Sequence, residues 1–278
     1  MVKIPQISIV WLSITAIILV LVPIVYFLIW KKKGSVKPAP LFAGMLGFLI
    51  SARVLEMIPH MFCIVYDNPV SRFINGNVIA YMLYGAFMAG IFEECGRYVV
   101  FRYVLKKDTD RSTSITYGIG HGGFEVYIIS FAVIANYLVI AIMLNVMGAD
   151  AAFKSLGITE ANKAVFDTIF QSISAFSSVN ALLAIFERVL CVGIHIALSV
   201  IVFYGVRVKE KRYLLLAILA HAILDMPAAL SQKGAASTIV VEAWLAICLI
   251  VFGFIAKKLY DKLKPENAET VLDNKELS

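Results

Sequence analysis

Apolar residues run along this chain in long unbroken blocks rather than in strict alternation. A helix needs about 20 consecutive apolar residues to cross the hydrocarbon of a bilayer. Seven stretches reach that length: 5–30, 39–66, 76–105, 112–147, 176–205, 212–230 and 237–256. They predict an all-α fold, a polytopic transmembrane helix bundle of about seven spans. A single integral membrane domain would cover residues 1–256, with a polar tail over 257–278. The first block is too long for a cleaved signal peptide, and Lys31, Lys32 and Lys33 follow it without a small-residue cleavage site. Spans three and four exceed the required length and must tilt, kink or protrude. Between them and the fifth span, loop 148–175 is the longest. In it Val165, Phe166, Ile169 and Phe170 recur at helical spacing behind Thr159, which reads as an N-cap of a short interfacial helix.

Composition agrees with the pattern. The chain is 60% hydrophobic and 16% charged, with a mean hydropathy of +0.85; soluble domains are about half apolar and about a quarter charged. The net charge of +6 would admit nucleic acid as a partner, but the placement of the bases excludes it. Lys31, Lys32, Lys33 and Lys37 follow span one; Lys106, Lys107 and Arg111 follow span three. Arg207, Lys209, Lys211 and Arg212 follow span five, and Lys257, Lys258, Lys262, Lys264 and Lys275 follow span seven. The opposite side holds only Lys3, Arg72, Lys154, Lys163 and Lys233, a division of sixteen against five. The positive-inside rule then predicts an external N-terminus and a cytoplasmic C-terminal tail in a cell membrane. The basic charge marks topology and contact with anionic lipid. Cys63, Cys95, Cys191 and Cys248 all lie in apolar stretches without a C-x-x-C pair, which reads as small buried hydrophobes rather than disulfides or a zinc ribbon.

Candidate chemistry comes from polar groups inside the spans. Glu56, Glu93, Glu94, Glu125, Glu187 and Asp225 face only Arg53, Arg97 and Arg188 as fixed cations. Each charge costs roughly 2.5–3.5 kcal/mol at mid-membrane, so nine unpaired would cost on the order of 25 kcal/mol. Three acids remain after pairing and must be protonated, or meet histidine, metal or water. His60, His121, His195 and His221 all lie within spans.

Depth separates these groups. Counted from the lysine-rich end of its own span, Glu94 is 11 residues in, His121 nine, His195 ten and His221 nine. At 1.5 Å per residue the four form one layer roughly 15 Å deep, drawn from four helices. Glu125 and Asp225 follow their histidines by four residues and so share their faces one turn deeper; Ser199, four after His195, lies one turn nearer the basic end. His60 and Glu242 fall near the opposite boundary.

Within the run Glu93-Glu94-Cys95-Gly96-Arg97, the acid-first i,i+4 spacing pairs Glu93 with Arg97 and leaves Glu94, about 100° away, as a general base. A wider turn near Gly96 would reverse that choice. Gly118-Ile119-Gly120-His121-Gly122-Gly123 fits a dinucleotide motif by letter only, since no strand precedes it. Its glycines permit close helix approach. Glu187 and Arg188 are adjacent, diverge around their helix and read as interhelical partners of groups such as Arg53 or Glu125. No H-E-x-x-H, G-x-S-x-G or Walker motif is present.

Glu93-Glu94 with Arg97, Tyr117-x-x-x-His121 and His221-x-x-x-Asp225 resemble the three motifs of the CAAX-protease and bacteriocin-processing superfamily: E-E-x-x-x-R, F-x-x-x-H and H-x-x-x-N/D. The G-H-G-G-F-E run, and Glu187-Arg188 followed by His195-x-x-x-Ser199, resemble its bacterial YhfC-type branch. The resemblance spans about residues 40–256. Here the arginine is one residue closer and Tyr117 replaces phenylalanine. The resemblance implies an intramembrane endopeptidase acting on a hydrophobic peptide or membrane-protein substrate. A glutamate and a histidine would activate water, and another histidine with its Asp would stabilise the oxyanion. It makes Glu93, Glu94, His121, His195, His221 and Asp225 the catalytic candidates, supported by Arg97, Glu125, Ser199, Glu187 and Arg188. The superfamily usually makes the first glutamate the base, whereas helix geometry here favours Glu94. No cofactor is required in that reading. The YhfC-type branch has also been described as metalloproteases, and His121, His195, His221 with Glu94 would then hold zinc. A transporter or proton relay would also use midplane acids and histidines, and a non-enzymatic immunity or scaffold protein would need no such layer.

Overall fold

The computed structural model describes residues 3–34 and 36–263. Among these, every regular element is helical. Seven helices are long and apolar enough to cross a membrane: Gln6–Lys33, Pro38–Val65, Val78–Val104, Ser112–Met147, Ser178–Val208, Arg212–Gln232 and Thr238–Lys262. The protein is a multi-pass integral membrane protein. The expected spans are all present, and most ends agree to within three residues. The exception is the last, which continues past 256 to Lys262, because Ala256, Leu259 and Leu263 still pack inward there. The predicted tail therefore begins as helix; its remainder, 264–278, lies outside the described residues.

The long spans are not regular throughout. Leu49–Leu55, Met61–Val65, Val100–Val104 and Val126–Phe131 are π-helical. The first two lie in the second span, the third ends the third span and the fourth interrupts the fourth. In the second span Pro59, which has no N–H to give to Leu55, follows one such stretch, and Glu56 N–H donates five residues back to Ser51 O at 3.0 Å.

The described helices form two compact units. One comprises the chain up to Val22 and Val126–Arg188. In it Ile4 and Asn145 exchange two hydrogen bonds of 2.8 and 2.9 Å, and Ser8 Oγ donates to Ser174 O at 2.9 Å. The expected short helix is here as Lys163–Ser174, preceded by Ala149–Ser155. Its first turn is flanked by Asn162, not Thr159: Asn162 Oδ1 accepts from Thr159 N–H at 2.7 Å, which makes 159–162 a turn and delays the helix. Glu187 and Arg188 also fall in this unit, and instead of diverging they bond to each other.

The other unit comprises Pro23–Glu125 and the chain from Val189 on. Its core runs along the fifth span, where Val192, Ile194, Ala197, Leu198, Ile201, Val202 and Phe203 are all buried. A helix buried and mostly apolar around its circumference suits the middle of a bundle. The second span packs on the first half of the fourth, and the third on the sixth. Glycines set these distances. A Cβ on Gly120 would lie 2.1 Å from Leu41 O, and one on Gly44 2.2 Å from Tyr117 O. The two backbones therefore touch reciprocally, as small residues allow in membranes.

This contact predicts a contrast. Gly120→Ala must push the second and fourth spans apart, and should lower stability by about 1–3 kcal/mol, the usual cost of overpacking. Gly253→Ala, with nothing within 4 Å of the added carbon, should leave thermal unfolding in detergent unchanged or slightly raised. Equal midpoints for both variants would contradict the close packing.

Candidate active site

The predicted layer and its neighbours arrive on four helices: Glu93, Glu94 and Arg97 on the third span, His121 and Glu125 on the fourth, His195 and Ser199 on the fifth, His221 and Asp225 on the sixth. The structure brings all of them together, within the larger unit. The ring centroids of His121 and His195 are 4.8 Å apart and those of His195 and His221 5.8 Å. Glu94, Arg97, His121 and Ser199 have no exposed surface. Asp225, with its side chain 32% exposed, is the most open member.

The two glutamates divide differently from the sequence expectation. Arg97 Nε lies 3.3 Å from Glu94 Oε2, an i,i+3 pair, and Glu93 does not hold the arginine. Glu93 Oε2 instead meets His121 Nε2 at 2.9 Å. No wider turn at Gly96 is responsible, since the helix is regular through Val99. The reason is tertiary: the face carrying Glu94 and Arg97 meets the fifth span. There Arg97 Nη1 donates to His195 O at 2.9 Å and to Ser199 Oγ at 2.8 Å, and Nη2 lies 3.1 Å from His195 Nδ1. Glu94 Oε1 also accepts from His221 Nδ1 at 2.8 Å, so both its oxygens are engaged.

The histidines are oriented by these contacts. Arginine can only donate, so His195 Nδ1 accepts, and its proton resides on Nε2, 2.5 Å from Glu125 Oε2. Glu125 thus serves the neighbouring helix rather than His121. His221 Nε2 faces Asp225 Oδ2 at 3.4 Å, the i,i+4 partner expected. Ser199 Oγ donates to His195 O at 2.6 Å and does not hold the imidazole; its part is to receive Arg97. His121 stands between Phe48, 5.4 Å away, and Tyr117, 5.8 Å away. Phe48 carries no polar signal that sequence reasoning could use. The tyrosine at 117 is accommodated by Gly47, where any Cβ would sit 2.3 Å from its hydroxyl.

Glu93, His121 and His195 each offer a ligand atom within 4.8 Å of the others. Two imidazoles and a carboxylate are the donor set of a hydrolytic zinc centre with an open fourth position. His121 Nδ1, buried and without a hydrogen-bond partner among the described residues, is a further unspent donor or acceptor. The residues therefore fit the ion, on the condition that the Nε2 proton of His195 leaves toward Glu125 before that nitrogen ligates. The grouping differs from the sequence expectation: Glu93 takes the place of Glu94, whose oxygens are occupied, and His221 stands outside it.

A carboxylate–imidazole cluster buried among the spans of a polytopic bundle offers the groups that an intramembrane hydrolase uses. The model of the YhfC intramembrane metalloprotease family matches residues 18–246, and the chain belongs to that family. It is 29% identical over 259 residues to the membrane protein YhfC of Bacillus subtilis (strain 168), covering 92% of this chain and 98% of that one. No solved structure matches the chain. The protein is thus an enzyme, an intramembrane protease.

The Arg97 contacts predict where stability resides. Glu94→Gln leaves a buried guanidinium without its counter-charge and should cost about 3–5 kcal/mol. Glu93→Gln keeps Arg97 paired and should unfold within about 1 kcal/mol of the parent, near the net worth of one hydrogen bond. Thermal unfolding of both in one detergent measures this, and the opposite order would show that Glu93 carries the arginine.

Proposed function

We propose that the enzyme hydrolyses a peptide bond of a membrane-embedded or membrane-associated polypeptide, with Glu93 and His121 at the reacting centre. The observation that carries this reading is the 2.9 Å contact between Glu93 and His121. It lies beside two further imidazoles and away from the glutamate spent on Arg97. Glu93 takes the proton of the attacking water and His121 positions the carboxylate and shares that proton. His195, whose Nε2 faces Glu125, and His221, whose nitrogens face Glu94 and Asp225, stand beside that pair as the donors that would exchange a carboxylate partner for the oxyanion or the leaving amine. The buried surroundings strengthen each of these interactions relative to water. In the alternative metal form Glu93, His121 and His195 would serve as ligands instead, and zinc so held would supply a Lewis acid and an acidified water at neutral pH.

Loss of a general base costs about 10²–10⁴-fold in rate. Glu93→Gln and His121→Gln should therefore remain folded and lose cleavage of a single-span reporter library by at least that factor. Metal analysis of the purified protein gives a second readout. Zinc near one per chain in the parent, absent from both variants, supports the metal centre. Wild-type cleavage by Glu93→Gln would overturn the assignment.

We further propose an external N-terminus and a cytoplasmic C-terminus, supported by the sixteen-to-five division of lysine and arginine. A reporter after Ser278 should then read cytoplasmic, and one in loop 148–175 external. Both on one side of the membrane would refute this topology.

A further inference from the structure

A second polar feature lies at the basic ends of the third and fifth spans, away from the histidines. A cavity of about 210 Å³ is lined there by Arg102 and Lys106 from one helix end and Arg207 and Lys209 from the other. Among the described residues none of these four side chains takes part in a hydrogen bond or ion pair. The cavity has one acid, Asp108, and two helix C-termini, each worth about half a negative charge. Four full positive charges exceed these by about two, so complementing the helix dipoles does not account for the excess. The back wall is apolar: Phe101 and Phe203 also line the cavity and stack edge to face at 5.1 Å.

Both walls are irregular backbone. Phe101 and Arg102 sit in the π-helical turn Val100–Val104, a type of irregularity frequent at functional sites. The fifth span ends with Glu210 N–H donating to Gly205 O at 2.9 Å and Lys209 N–H to Val206 O at 3.3 Å. That is a Schellman motif, whose left-handed position is normally glycine. Here it is lysine, at φ 60°, the one non-glycine residue with positive φ among those described. A lysine kept where glycine would fit better is evidence that its side chain is used.

We propose that this cavity binds the phosphate headgroup of an anionic phospholipid. The chemistry required is a phosphate anion joined to an apolar body. The bases stand at the ends of two apolar spans, where a bilayer's phosphates would meet them, and Phe101 and Phe203 offer a surface from which hydrated free phosphate would gain nothing. This site is independent of the proteolytic reading.

The test is thermal unfolding of the full-length protein in detergent, titrated with dioleoylphosphatidylglycerol, with dioleoylphosphatidylcholine or with inorganic phosphate. Only the phosphatidylglycerol should raise the midpoint, and saturably. Lys209→Gly removes a charge while relieving the left-handed backbone. Without lipid it should melt at or above the parent, yet need about fivefold more phosphatidylglycerol for half its effect. Arg207→Gln should show the same loss. Lys107→Gln and Lys211→Gln, charges outside the cavity, should not. The proposal fails if Lys209→Gly and Arg207→Gln respond like the parent. It fails equally if the outside variants lose as much, or if inorganic phosphate replaces the lipid.

Discussion

The guanidinium of Arg97 has no exposed surface, and the larger unit is built around answering that charge. Arginine keeps its proton in proteins, so burial among apolar spans has to be compensated on the spot. One carboxylate, one hydroxyl, one backbone carbonyl and one imidazole nitrogen do so, and the last three come from a single turn of the fifth span. Arg97 therefore joins the third span to the fifth at one register. A slide of the fifth helix by one turn would remove three acceptors together and strand the charge. With that register fixed, His195 is placed beside His121, and Glu94 is placed to receive His221.

Backbone contact supplies the matching constraint on the other side of the cluster. Lipid gives helices no hydrophobic drive to associate, so packing surface has to do the work. Gly44 and Gly120 bring the second and fourth spans to direct contact, which fixes the helix that carries His121. Polar pairing on one flank and glycine packing on the other hold the imidazoles at distances their own helices could not specify.

This division explains what was legible in the sequence. The spans followed from block length, and the common layer from counting inward along each helix, because a straight helix converts residue number to depth directly. Which side chain faces which was beyond the same reasoning. Glu93 and Glu94 both lie within reach of Arg97 on an isolated helix, and the choice is made by Ser199 and His195, about a hundred residues further on. Glu125 was placed with His121 by i,i+4 spacing, but the partner it reaches is on another helix. The end of the last span was misjudged because Lys257 and Lys258 look like a tail, although Ala256, Leu259 and Leu263 continue an inward face through them. The close approach of Gly47 to the Tyr117 hydroxyl is likewise something that sequence alone does not bring into view.

The same contacts decide where chemistry can occur. Glu94 has one oxygen on Arg97 and one on His221; His195 has one nitrogen on Arg97 and the other on Glu125. For Glu94, accepting a new proton or ligand would break a bond that stabilises a buried charge, and His195 can ligate only through the nitrogen that faces Glu125. Glu93 and His121 are tied only to each other by the 2.9 Å contact, and His121 retains a nitrogen without a partner among the described residues. Unspent bonding capacity in an otherwise satisfied buried network is where water, substrate or an ion can engage without dismantling the fold. On the reading proposed above, the reacting centre is the pair Arg97 leaves alone, and the arginine's choice of Glu94 is what leaves Glu93 available.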